Sequence, residues 1–462
     1  MDAGLIAVID IGKTNAKLFV LDALSGQIVW SRQRPNEVIA TSPVKQLDVR
    51  GVETWLVREL AEVPDKKSIR RIVPVAHGAA AVLVDDEGSI LVAPDYEDVA
   101  FESTREAYTR ERDSFEYTFS PQLPLGLNLG AQLHFLEVEH PPLFRRVAHV
   151  LLLPQFFGWR LSGVMASEIT SLGCHSDLWR PLERGFSALA RNRGYAGRFP
   201  PLRRASDALG TVRQPIAAIT GLDPDCQVIC GIHDSGASYL SHLCRQREGS
   251  AFAVVSSGTW TIAMASEPDL RKLRQECDML ANIDAFGSPV ATARFMGGRE
   301  YQAVVGDRDM EIMPTAMSLR SVLDQRAMAL PSFVRGSGPF PHNEGEFLRA
   351  ERLEPSARAA LGTLYVALIV DVMLDRLEAR GDLVIDGPLA RNPLFAPILA
   401  AFRPASRVQL GESSSGAASG GLALTRGMRR GVTGRDRDST VEPLAIDDLQ
   451  AYRTQWRECV SS

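Results

Sequence analysis

No Cys-x-x-Cys pair occurs in these 462 residues, although there are six cysteines: Cys174, Cys226, Cys230, Cys244, Cys277 and Cys459. Without paired metal-type spacing a zinc site is not expected, and reduced structural thiols in a cytoplasmic protein are. Long runs of basic charge are missing too. With 51 basic against 56 acidic residues and a net charge of −5, nucleic acid is not an expected partner. The opening MDAGLIAVID has no basic stretch ahead of an apolar one, so no signal peptide is expected. The longest apolar stretch, Leu361 to Leu374, is broken by Asp371 and too short to span a bilayer, so no membrane partner is expected. One more absence decides a motif. Gly12-Lys13-Thr14 resembles the end of a nucleotide P-loop, but the place of its first glycine is held by Ala7, inside an apolar run.

What is present around that trio is strand, tight polar turn, strand: AVIDIGKTNAKLFVLD over residues 7–22. A turn of small and polar residues leaves backbone N–H groups free. Those of Gly12 and its neighbours, with the Thr14 hydroxyl, Asn15 amide and Lys17 ammonium, suit phosphate oxygens. Asp10, at the end of the first strand, could hold a hydrated Mg²⁺ beside them. The alternative is an ordinary hairpin whose Asp and Asn satisfy its own turn. The pattern recurs at FAVVSSGTWTIAM over residues 252–264, where Gly258 and Thr259 occupy the turn. Two such hairpins, each starting one half of the chain, suggest a duplicated domain with a cleft between the copies.

The length fits two domains, and 45% hydrophobic with 23% charged residues is ordinary for a globular protein. The first half reads as an α/β unit. It has a strand at residues 27–30, a helix at 53–62, a strand at 71–76, a strand pair at 81–84 and 89–92, and a mostly helical stretch from 128 to 162. A strand at 227–230 ends in Gly231-Ile232-His233-Asp234-Ser235-Gly236. After a polar link at 244–249 comes the second half, with an amphipathic helix carrying Leu361, Leu364, Tyr365, Leu368, Ile369 and Val372. A strand at 383–385, a turn at 386–388, a helix at 393–402, a strand at 408–410 and a small-residue helix at 417–421 follow. The charged tail is expected to pack as a short appendage or fray.

The order of these motifs resembles the FGGY family of carbohydrate kinases over about residues 5–430. The resemblance rests on Asp10-Ile11-Gly12-Lys13-Thr14-Asn15, Gly158-Trp159-Arg160-Leu161-Ser162-Gly163, Gly231-Ile232-His233-Asp234-Ser235, Ser256-Ser257-Gly258-Thr259-Trp260 and Met296-Gly297-Gly298-Arg299. It implies an α/β fold of two duplicated actin/hexokinase-like (ribonuclease H-like) ATPase domains flanking a cleft. Their implied extents are residues 1–244 (sugar-binding, first phosphate hairpin) and 245–432 (nucleotide-binding), with a tail at 433–462. The implied activity is transfer of a phosphoryl group from MgATP to a sugar hydroxyl.

Carried over position by position, Asp10, Thr14 and Asn15 match the first phosphate motif, and Gly258 and Thr259 match the second. Gly297 and Gly298 belong to the nucleotide side. Asp234 matches the catalytic base, a carboxylate being needed to take the hydroxyl's proton; its alternative role is a helix N-cap. The adenosine motif departs from the family. It reads Asp386-Gly387-Pro388-Leu389-Ala390-Arg391-Asn392 where two or three consecutive glycines are common, and Pro388 stiffens the loop that Gly387 and Asn392 would present to the nucleotide. His77 stands at the place of a glutamine in the substrate loop, followed by Gly78.

The triplet His233-Asp234-Ser235 resembles the His-Asp-Thr of rhamnulose and fuculose kinases, and Tyr96-Glu97-Asp98 resembles a Tyr-x-Asp near the sugar in the rhamnulose group. These imply a 6-deoxyketohexose phosphorylated on O1. A pentulose such as xylulose or ribulose is the second choice, and a non-catalytic ATP-driven regulator on the same fold the third. The partners implied are sugar and ATP, with a homodimer as the assembly allowed for.

Overall fold

The unbroken apolar run Leu5–Ile9 makes a strand buried on both faces, as a central strand of a covered sheet must be. This strand, β1 (Leu5–Ile11), pairs antiparallel with β2 (Asn15–Asp22), setting Asp10 opposite Lys17. β3 (Ile28–Pro35) extends the antiparallel edge. On the other side β4 (Ile69–Ala76) runs parallel to β1. The sheet is completed by β5 (Ala208–Thr211), β6 (Gln227–Ile229) and β7 (Ile232–His233), in the order β5-β6-β4-β1-β2-β3 with β7 also on β4. This computed structural model describes residues 4–411, 415–428, 431 and 440–461. Contacts divide the chain into two units: Met1–Arg245 with Ala281–Pro289 and Ser415–Val432, and Gln246–Leu280 with Val290–Ser414 and Thr433–Ser462.

In the first unit the helix Val49–Glu62 starts four residues earlier than the sequence suggested, because the Asp48 carboxylate accepts from Gly51 N and caps it. The stretch expected to be helical from 128 to 162 is interrupted by a strand, His149–Leu152, paired with Ala81–Val84. Its fully apolar end fits a buried strand, and Pro154 in the first turn then starts the helix Leu153–Ser162. Helix Gly416–Thr425 belongs to this unit and lies so close to helix Asp234–Leu243 that a Cβ on Gly420 would stand 2.2 Å from the Ala237 carbonyl oxygen.

The second unit repeats the strand order. In its sheet β8 (Phe252–Ser256) pairs antiparallel with β9 (Thr261–Ala265), which pairs antiparallel with β10 (Pro289–Phe295). On the other flank β8 runs parallel to β11 (Asp382–Asp386), which runs parallel to β12 (Val408–Leu410). The series β10-β9-β8-β11-β12 thus matches β3-β2-β1-β4-β6 of the first unit in order and direction.

Helix Pro355–Arg376, expected to be amphipathic, is apolar on more than one face. It is buried almost all round from Ala357 to Leu374, the pattern of a central core helix. It is long and apolar enough to cross a membrane, but 89% of its apolar window is buried in the protein. Asp371, fully buried in it, is held by Arg403 at 3.0 Å, by Arg453 at 2.7 Å and by Arg457.

Two of those arginines lie on the tail, whose described helix packs as an appendage, one of the two outcomes expected for it. Residues 432–439 lie outside the described part, but Leu449–Ser461 is a helix whose Trp456 is fully buried and donates from Nε1 to the Ala329 carbonyl at 2.8 Å. All six cysteines are free thiols and four are buried.

Candidate functional site

Register gathers the first group of site residues. Asp10 on β1 is opposite Val75 on β4, Ile11 is opposite Ala76, and on the far side of β4 Val75 and Ala76 face Ile232 and His233 of β7. Three adjacent parallel strands therefore end together, and Asp10-Ile11-Gly12, His77-Gly78 and His233-Asp234 emerge side by side. The carboxyl ends of parallel strands are where α/β sheets place ligands.

In the first turn Gly12 N donates to Asn15 O at 2.9 Å, and Asn36 holds the turn by its amide to Gly12 O at 2.7 Å. The Lys13 and Thr14 N–H groups have no acceptor among the described residues, and Thr14 is exposed. Asn15 donates to the Thr14 hydroxyl at 3.0 Å. Lys13 does not serve the turn as a P-loop lysine would. It pairs with Asp95, lies 3.4 Å from Glu97 and sits over the Tyr96 ring at 4.8 Å. Beside the turn a small open pocket runs from Gly12 and His77 to an apolar wall of Val49, Val52, Leu153 and Phe157.

Burial, aided by the charge of Asp234 and opposed by Lys17, raises the Asp10 pKa to about 6. A carboxylate held at such cost fits a place that a cation occupies. Mg²⁺ takes one or two carboxylates, water and phosphate oxygens, so Asp10 alone suffices as a protein ligand. No cluster of three or more metal-ligating side chains occurs among the described residues.

The His77 ring packs edge-on against Tyr96, centroids 5.7 Å apart. Its Nδ1 lies 2.9 Å from the Gly78 carbonyl, which can only accept, so the proton is on Nδ1. Burial lowers the His77 pKa, which leaves Nε2 as a bare acceptor. Burial also raises the Tyr96 hydroxyl well above its ordinary value, keeping it protonated. Asp98, expected near the sugar, is engaged by backbone N–H groups. One oxygen accepts from Lys45 N at 2.6 Å and the other from Ala100 N at 2.9 Å, so it caps its loop rather than offering a free carboxylate.

Asp234 is the first residue of its helix, with His233 at the N-cap position. Its Oδ1 accepts from Ser235 N at 2.5 Å and lies 3.1 Å from His233 Nε2. Oδ2 has no partner among the described residues, and the side chain is 34% exposed. A carboxylate anchored by one oxygen and open at the other has the form of a general base.

The second group sits in the second unit. Its hairpin turn is tied to β11: Ser257 donates from N (3.1 Å) and Oγ (2.9 Å) to the Asp386 carbonyl and accepts from Leu389 N at 2.9 Å. Gly387, at φ +81°, is required there because a Cβ would stand 2.2 Å from Ser257 O. Helix Gly297–Val305 begins beside the turn, with Gly298 N donating to Thr259 O at 3.2 Å. Gly258, Thr259, Gly297, Gly298 and Gly387 thus form one cluster, with Gly258 and Thr259 exposed. Asn392 is not free to join it. Its Oδ1 accepts from Leu394 N (3.0 Å) and Phe395 N (3.3 Å) and its amide donates to Thr363 at 2.9 Å, so it braces the turn ahead of the next helix.

Sequence reasoning missed Lys13, Asp95 and Cys174. Asp95 lay one residue before the Tyr96-Glu97-Asp98 triplet singled out from the sequence, while nothing local marked Cys174.

Two units of the actin/hexokinase-like fold, one presenting acids and imidazoles and the other small neutral turns, define a class. Comparison with known proteins gives the family. The model for the FGGY family of carbohydrate kinases, N-terminal domain, matches residues 5–241, and that for the carbohydrate kinase FGGY C-terminal domain matches residues 249–433. The chain belongs to the FGGY family of carbohydrate kinases. It is 26% identical to the L-fuculokinase of Escherichia coli (strain K12) over 303 residues, spanning 62% of this chain and 62% of that relative. Over 146 residues it is 30% identical to the L-fuculokinase of Haemophilus influenzae, 30% of this chain and 29% of the relative. Among solved structures, a carbohydrate kinase from Novosphingobium aromaticivorans is similar with TM-score 0.91 at 35% identity, covering 100% of this chain and 99% of that one. A xylulose kinase from Lactobacillus acidophilus is similar with TM-score 0.78 at 12% identity, covering 99% and 96%, a likeness of fold alone.

Proposed function

We propose that this protein is an ATP-dependent ketose kinase that phosphorylates O1 of a 6-deoxyketohexose such as L-rhamnulose or L-fuculose. The observation that carries the reading is Asp234, whose Oδ1 is anchored while Oδ2 is open. In the reaction Oδ2 takes the O1 proton as O1 attacks the γ-phosphorus, the bond to the β-phosphate oxygen breaks, and ADP leaves. His77 Nε2 accepts from a sugar hydroxyl, the N–H groups of Lys13 and Thr14 bind phosphate oxygens in the first unit, and Thr259 belongs to the nucleotide side of the second. When bound, Mg²⁺ supplies charge neutralisation for the phosphates, with Asp10 as the protein group that would hold it.

The sugar class draws on the His233-Asp234-Ser235 triplet and the similarity to L-fuculokinases. The test is ADP release with a panel of L-fuculose, L-rhamnulose, D-xylulose, D-ribulose and glycerol. Stimulation by a 6-deoxyketohexose above the rest supports the reading. Preference for a pentulose replaces the sugar class, and ATP consumption indifferent to every sugar leaves a regulator.

A further inference from the structure

The thiol of Cys174 has no part in the reaction just described, yet it is 3% exposed and lies beside the base. It follows the short helix Ile169–Leu172, and its Sγ stands 3.7 Å from His233 Nε2. The same nitrogen is 3.1 Å from Asp234 Oδ1. One ring atom therefore faces both the sulfur and the carboxylate.

The segment before Cys174 holds His233 from its backbone as well. His233 N donates to Thr170 Oγ1 at 3.1 Å, and that hydroxyl donates to the buried Glu168 at 2.6 Å. Gly78 closes the remaining side, where a Cβ would stand 2.8 Å from His233 Nε2 and 3.2 Å from Cys174 Sγ. The imidazole has little room to turn.

We propose that Cys174 is a positioning residue, whose sulfur holds the His233 ring so that Nε2–H points at Asp234 Oδ1 and Oδ2 is left facing the sugar hydroxyl. The inference rests on the kinase reading above. The electrostatics agree with the geometry. Burial opposes charge on both partners, yet His175 and His233 bring the Cys174 thiol down to about 5, and Cys174, Asp234 and Glu168 bring His233 up to about 9. A thiolate and an imidazolium stabilise one another, and a protonated ring keeps a hydrogen on Nε2 for the carboxylate. The other titratable groups facing this cluster are Asp10, His77 and Tyr96, around Asp234.

The experiment uses the full chain with the ketose that gives the highest turnover in the panel. In Cys174→Ala, kcat should fall by roughly 10- to 100-fold, the scale of a small misplacement of a catalytic group, while the KM for ATP stays put. Cys174→Ser keeps an acceptor for Nε2–H and should recover part of the loss. The ultraviolet absorbance of a thiolate should be present in the wild type at neutral pH and disappear in both Cys174→Ala and His233→Gln. An active wild type whose Cys174→Ala variant keeps its kcat, or no thiolate signal in the wild type, overturns this proposal alone. A wild type that phosphorylates no ketose overturns the kinase reading and this proposal with it.

Discussion

Replacing Asp234 by Asn separates shape from proton affinity at the proposed base. In the wild type Oδ1 is fixed by Ser235 N at 2.5 Å and lies 3.1 Å from His233 Nε2, while Oδ2 is unpartnered among the described residues. The Asn carbonyl oxygen can accept those same contacts, so the side chain should keep its orientation. Its amide nitrogen then occupies the place of Oδ2 and offers hydrogens where a lone pair was needed. The loss should be the general-base contribution, roughly 10²- to 10⁴-fold in kcat, or about 3–5 kcal/mol of barrier. Steady-state ADP release with the preferred ketose measures it. Calorimetric titration with the sugar and with a non-hydrolysable ATP analogue checks that both affinities change little. A second effect follows from charge. Burial is the main cause of the raised Asp10 pKa, but Asp234 is the next, so the Asn variant should let Asp10 titrate lower. Near-normal turnover would refute the reasoning and reduce Asp234 to the first residue of its helix. The search would then turn to His77, because Asp98 has both oxygens engaged by Lys45 N and Ala100 N.

Thr259→Ile places bulk on the exposed second turn and should weaken ATP-analogue binding with the fold intact; unchanged affinity in a folded variant would remove that turn from the nucleotide site. Gly78→Ala forces a Cβ to within 2.8 Å of His233 Nε2, a crowding that costs about 1–3 kcal/mol. It should lower both kcat and the melting temperature, and an unaltered kcat would show that the ring can move aside freely. Glu168 is fully buried, and burial raises its pKa from 4.5 to about 7, which corresponds to about 3 kcal/mol. Because the folded-state value is the higher one, that stability is present below the unfolded pKa and is lost as pH rises towards 7. Glu168→Gln should flatten the stability curve between pH 4.5 and 7, measured by urea unfolding; an unchanged slope would assign it to other groups.

Both hairpins were legible in the sequence because an apolar run, a few small polar residues and a second apolar run have one economical conformation. The gathering of Asp10, His77 and Asp234 was not legible locally. It follows from β1, β4 and β7 being adjacent and parallel, and strand order is a property of the whole sheet. Polar residues just past strands were ambiguous for a related reason: such a side chain can face a ligand or close the backbone. Hydrogen bonds tell them apart: Asp98 and Asn392 accept from nearby backbone with their oxygens, while one oxygen of Asp234 has no partner among the described residues. Helical spacing likewise could not tell a helix with one apolar face from Pro355–Arg376, which is surrounded. For the tail the sequence left packing and fraying open because it is largely polar, and what fixes it is Trp456 together with arginines reaching the buried Asp371.

The repeated strand order also bears on why the two units carry different residues at equivalent places. In each, a hairpin turn follows the central strand and the end of a parallel neighbour lies beside it. At β1 and β4 those places hold Asp10, Gly12, His77 and Gly78; at β8 and β11 they hold Ser257, Gly258, Gly387 and Asp386, whose carboxylate is turned to its own backbone, accepting from Gly387 N at 2.7 Å. A carboxylate belongs where a hydroxyl must give up its proton or where a cation is held. It would repel the negative oxygens of a nucleotide at close range, whereas glycines and a serine let backbone N–H groups approach them. On the proposed function the duplication supplies one geometry twice, with proton and cation chemistry beside a phosphate-binding turn in the first unit and a glycine-lined turn for the nucleotide in the second.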